Sequence, residues 1–266
     1  MSTAVIVALI SAATSLVAAG IALLSSRSVA RFGAELEEKR HLASKREQAE
    51  ELRARYRDPL LSATFDLQSR LFNIVAKDFL VRYARGPGSH PYAIDNTLHV
   101  LAEYLAWVEI IRCEIQFLDL GEEIADRRWL IALEDVRDIL ARDDIDPVLR
   151  IFRGEQRAIG EVATIPLNEP VWGRRHESLG YAQFVEQRRR AGFNQWFEQL
   201  QNDIELLTAE PDAHLERLLM LHNALIDVLD ILDPECKRFP VERRTRLKTA
   251  PAPRPPGAPG RTAAGG

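Results

Sequence analysis

The first 26 residues of the chain carry no ionisable side chain, and the residues that follow are crowded with them. Ala4 to Leu24 is a run of 21 residues dominated by Ala, Val, Ile and Leu, and a helix that crosses the hydrocarbon layer needs about 20. Such a helix satisfies its own backbone, which lipid cannot do. The pattern predicts a transmembrane signal-anchor helix over residues 1–26. A cleaved signal would open on a positive segment, and "MSTA" has no Lys or Arg, although "VAAG" at Val17–Gly20 offers small residues for cleavage. Cleavage there would instead release a secreted or periplasmic helical domain. Arg27, Arg31, Lys39, Arg40, Lys45 and Arg46 follow the apolar run and no positive side chain precedes it. The positive-inside rule therefore puts the N-terminus outside and the rest of this single-pass chain in the cytoplasm. Ser11, Ser15 and Ala19 recur every fourth position, a spacing that would suit a homodimer in the membrane.

Residues 27–57 read as a charged helical stalk, supported by Glu35–Lys39 and Glu51–Arg55 at i,i+4 spacing. Leu42, Ala49 and Tyr56 hold one heptad position, but Lys45 falls at its companion, which makes a poor coiled-coil seam. From 58 to 234 the apolar positions take up a helical period. Asp58–Pro59 has the form of a cap and first turn. Beyond it, Leu60, Leu67, Leu71 and Ile74 line one face, with Ser62, Asp66, Arg70, Asn73 and Lys77 on a polar stripe read as solvated. Asp95 is placed to cap a long, mostly apolar helix ending at Gly121.

Further amphipathic runs cover Glu122–Arg142, Asp146 to about Thr164, two pieces hinged near Gly192, and a last helix ending before Pro234. The stretch "IPLNEPVWGRRHESLG" is the longest irregular loop. No run of alternating β-branched residues appears. The expectation is an all-α fold, an antiparallel bundle of about six helices. Residues 235–266, rich in Pro, Gly and Ala, read as a disordered tail.

Charge sharpens this picture. The chain is at −4 overall, but the tail holds eight basic and two acidic residues, so the remainder stands at −10. Lys237, Arg238, Arg243, Arg244, Arg246 and Lys248 form a basic cluster suited to an anionic leaflet or an acidic partner. Nucleic acid is not expected, because no aromatic side chains interleave with that cluster. Within the long helix, His99, Glu103, Trp107, Ile110 and Glu114 share one side, so Glu103 and Glu114 are candidates for partly buried carboxylates. With Arg174, Arg175 and His176 from the loop they form a candidate polar site, for which pairing within the bundle is the plainer reading.

Two cysteines are too few for a disulfide framework, and Cys113 reads as a small core residue. No nucleotide, hydrolase, zinc or redox motif occurs, so no catalytic residue, metal or cofactor is expected. The function expected is a membrane-anchored interaction or scaffold protein that displays a helical domain to an unknown cytoplasmic partner. A cryptic enzyme or ligand site around Glu103 and Glu114 is the alternative.

Overall fold

The computed structural model describes residues 37–41, 43–44, 55–84, 89–115, 124–171 and 174–248. The chain divides between Ala54 and Arg55, and each part is considered by itself. In the first part, residues 37–41 and 43–44 are helical and exposed. The expected anchor, most of the stalk with its heptad positions, and residues 249–266 lie outside the described residues. Among the described residues, no helix is long and apolar enough to cross a membrane.

The second part is mostly helical, as its periodicity predicts. Helix α1 covers residues 55–77, and Asp78, in the left-handed region at φ 52°, breaks it before the short α2, Phe79–Tyr83. Residues 55–58 are already helical, so Asp58 is not the expected cap. Helix α3 is His90–Ile115. It starts ahead of Asp95 because Pro91 falls in its first turn, where a missing N–H is harmless. Helix α4, Ile124–Ala141, is followed by an irregular turn, and α5 is Arg153–Val162. The expected helix from Asp146 is delayed because Leu149 is left-handed, at φ 56°. Glu155 then accepts the Phe152 N–H at 2.8 Å and secures the start of α5.

The expected irregular loop is an antiparallel hairpin, β1 Thr164–Val171 and β2 Arg174–Ser178, pairing Thr164 with Ser178 and Pro166 with His176. Sequence pattern missed it because two prolines and charged residues break any alternation. Three pieces follow, α6 Tyr181–Gln187, α7 Ala191–Asn194 and α8 Glu198–Ala209, before α9, Glu216–Leu232. Phe184, Phe193, Phe197 and Leu200 are buried as expected, whereas Trp196 is partly exposed.

Helix α3 is central, packing on α5, β2, α2, α8 and α6, while α4 packs on α9. The α3–α5 approach is tight because Gly160 faces α3: a Cβ there would lie 2.7 Å from the Leu105 carbonyl oxygen. The α4–α9 contact is organised by Arg217, which is completely buried. Its guanidinium donates to the carbonyls of Val148 (3.1 Å), Leu140 (3.3 Å), Arg142 (2.7 Å), Asp146 (2.8 Å) and Ile139. Three of these belong to the C-terminal end of α4, where carbonyls lack intrahelical donors and the helix dipole favours a cation.

The tail departs from expectation over residues 235–248, which fold back on α9 and α1. Phe239 stacks on Phe65 with centroids 3.8 Å apart. Arg244, also buried, pairs with Asp233 at 2.6 Å and Asp230 at 3.1 Å, and donates to the carbonyls of Leu229, Asp233 and Phe239. Asn223 clasps Leu247 through both its N–H (3.0 Å) and its carbonyl (2.9 Å). Composition alone suggested disorder because this segment has few apolar residues, but its order comes from long-range polar contacts.

Replacing Arg217 with Ala should cost about 3–5 kcal/mol in urea unfolding, because buried carbonyls lose their donors and a cavity opens. Arg217→Met, which keeps most of the volume, should recover little of that loss; full recovery would show that volume alone matters. Gly160→Ala should cost about 1–3 kcal/mol by forcing α5 off α3, read as a lowered urea midpoint.

Candidate functional site

The six candidate residues fall into two groups at different levels of α3. Glu103 and Glu114 are eleven positions apart, which at 1.5 Å per residue is about 16 Å along the axis. They do not converge on one cleft.

The first group gathers around His99 and Glu103. His99 is buried, with Nε2 3.0 Å from the Leu179 carbonyl oxygen, so that nitrogen carries the proton. Burial holds its pKa below the ordinary value, leaving a neutral ring. Its Nδ1 is 4.0 Å from Glu103, and its ring lies edge-on to Tyr181 and Phe184. Glu103 therefore has a neutral neighbour in place of a cation. Burial, reinforced by the charge of Asp66, pushes its carboxyl up to about 7. Asp66, exposed at the surface, has its own carboxyl raised by partial burial, with His99 and Arg70 opposing.

Arg70 completes this group. Its guanidinium sits 3.9 Å over the Phe79 ring and donates to Asn96 of α3. So the stripe read as solvated is divided: Arg70 turns onto α3, while Lys77 stays exposed. The i,i+4 pair Asp66–Arg70 was the visible signal, but it fits a solvated face equally well.

The second group is built on Glu114. Tyr56, buried at the start of α1, donates its hydroxyl to Oε2 at 2.5 Å, and His176 Nδ1 lies 2.7 Å from Oε1. The Arg175 backbone N–H approaches Oε2 at 3.4 Å, while its side chain is exposed. Arg174 is placed in β2, opposite Val171. Glu114 thus ties α1, α3 and β2 together, with donors on both oxygens. Sequence reasoning did not single out Tyr56 as a partner, since nothing local links positions 56 and 114.

Among the described residues, no three His, Cys, Asp or Glu side chains are grouped to hold a metal ion. Cys113, expected in the core, is exposed. Of the basic cluster, Lys237 pairs with Glu235 at 2.5 Å, Arg238 with Asp58, Arg244 with Asp233 and Asp230, and Arg246 with Asp227 at 2.5 Å. Arg243 and Lys248 are exposed and have no carboxylate partner among the described residues. Comparison with protein families, with curated proteins and with solved structures finds no match to this chain.

Glu103 binds its proton more tightly in the folded chain than in the unfolded one, where the ordinary value is 4.5. Its contribution to stability is therefore complete below about pH 4.5 and is lost as pH rises through about 7. Glu103→Gln should leave stability near pH 4.5 little changed and raise it at pH 8, by up to about 3 kcal/mol. Urea unfolding at the two pH values checks this; an equal effect at both would show that the carboxyl does not titrate in this range.

Proposed function

We propose that this protein is a single-pass, membrane-tethered helical adapter, with its N-terminus outside and its helical domain displayed in the cytoplasm to a protein partner. The observation that carries the reading is the uncharged run Ala4–Leu24, followed by Arg27 and Arg31 with no positive residue before it. The helical domain adds support of a different kind. Its two candidate acid groups lie apart on α3 and Glu114 is engaged by Tyr56 and His176, an arrangement that favours scaffolding over catalysis. Exposed apolar side chains, Leu130 and Ile131 on α4, offer a surface for a partner.

Two measurements on cells expressing the full chain test the reading. Washing membranes at alkaline pH should leave the protein in the pellet, and release into the supernatant would sink the tether. A membrane-impermeant maleimide should miss Cys113 in intact cells and reach it after lysis, because that thiol is exposed on the domain surface. Labelling in intact cells would reverse the topology.

A further inference from the structure

Four of the six residues of the basic cluster are engaged by carboxylates, so an anion would have to be met elsewhere. Arg243 and Lys248 remain, and the fold brings Arg243 to a notch of about 80 Å³ between the 3₁₀ turn Val241–Arg243 and α1, with Lys77 among its lining residues. Neither cation has a carboxylate within ion-pair distance among the described residues, and both are exposed. Ser69, Asn73 and Thr245 add neutral hydrogen-bonding groups to the same walls. Glu242 also lines it, which leaves a net charge of +1.

A buried group on the notch narrows the chemistry. Gln68 is 1% exposed and lines the cavity, and its Oε1 has no partner. The orientation of that amide follows from His222 beside it. His222 Nε2 lies 3.0 Å from the Thr245 carbonyl oxygen and must donate to it, and burial keeps the ring neutral. Nδ1, which also lies 3.3 Å from the Gln68 backbone carbonyl oxygen, is then an acceptor and takes the Gln68 amide nitrogen at 3.5 Å. Oε1 is left as a buried acceptor in need of a donor, at a cost of about 1–3 kcal/mol while it lacks one.

We propose that this notch binds a phosphate monoester. Arg243 and Lys77 meet the charged oxygens, the guanidinium being suited to two at once. In the singly charged monoester, the form that prevails below its second pKa of about 6, the protonated oxygen donates to Gln68. A phosphodiester has no such proton and fits less well. The monoester could belong to a soluble metabolite or to a phosphatidic-acid headgroup, which share this chemistry. The notch stands on its own geometry and does not rest on the tether.

The test uses the full-length protein in neutral detergent micelles, titrated calorimetrically with glycerol phosphate. Lys77→Ala and Arg243→Ala each remove an exposed side chain, so the fold should survive, as circular dichroism can verify. Each should weaken binding about tenfold. A second arm places the protein in phosphatidylcholine bilayers containing either phosphatidic acid or phosphatidylglycerol. Binding of soluble glycerol phosphate points to a metabolite. Binding confined to phosphatidic-acid bilayers points to the headgroup and equally supports the notch. The proposal is overturned if neither probe binds, if the two variants bind like the wild type, or if phosphatidylglycerol does as well as phosphatidic acid. Because the micelle arm is blind to topology, its failure would leave the tether untouched.

Discussion

A buried guanidinium set on the open end of a helix holds the domain together, and it does so twice. Arg217 of α9 reaches the last carbonyls of α4 and the turn after it. Arg244, beyond α9, reaches back to the last carbonyls of α9 itself. Arg217 answers a problem that every helix has, namely C-terminal carbonyls with no intrahelical donor, and Arg244 adds a second donor to Leu229 and one to Asp233. Each also creates a problem, since a buried cation costs several kcal/mol unless its protons are well used. Arg217 meets that cost with carbonyl dipoles alone, and Arg244 adds the Asp233 carboxylate. Removing either side chain would leave several polar groups dry at once.

The turn between α4 and α5 shows how far this reaches. Leu149 takes a left-handed conformation that a branched residue rarely favours. Its N–H is accepted by the buried Asp203 of α8 at 2.8 Å, while the neighbouring Val148 carbonyl is held by Arg217. Gln156 of α5 donates to the carbonyls of Arg137 and Ile151. A loop of polar backbone is thereby packed against three helices through hydrogen bonds with their side chains. The same principle orders residues 235–248, where Asp233 accepts the N–H groups of Lys237, Arg238 and Phe239 before the chain turns back over α9.

These contacts bear on function by sorting the charges. Side chains that a tether or a partner could have used are in part spent on the fold: Arg238 on Asp58, Arg246 on Asp227, Glu114 on Tyr56 and His176. Among the described residues, the notch beside α1 and the apolar side chains of α4 stay exposed. Glu103 is the exception inside the bundle, a carboxyl whose nearest basic group is a histidine kept neutral by burial.

Much of the helical content was legible in order and period, because a 3.6-residue repeat of Leu, Ile, Val and Phe is a local property that any reader of the chain can count. The buried faces of α1, α3 and α9 follow from it, and so does the inward cluster of Phe184, Phe193 and Phe197. The uncharged opening run and its positive flank are legible in the same way. The fate of each charge was not. Arg217 and Arg189 look alike in sequence, yet one is fully buried and the other exposed. Which arginine is buried depends on carbonyls up to 78 positions away. The pairing of β1 with β2, the order of residues 235–248 and the 16 Å that separate Glu103 from Glu114, about eleven helical rises, were likewise decided in three dimensions. Apolar burial is read from spacing along one element, whereas a polar group is placed by whichever partner the packed elements bring to it.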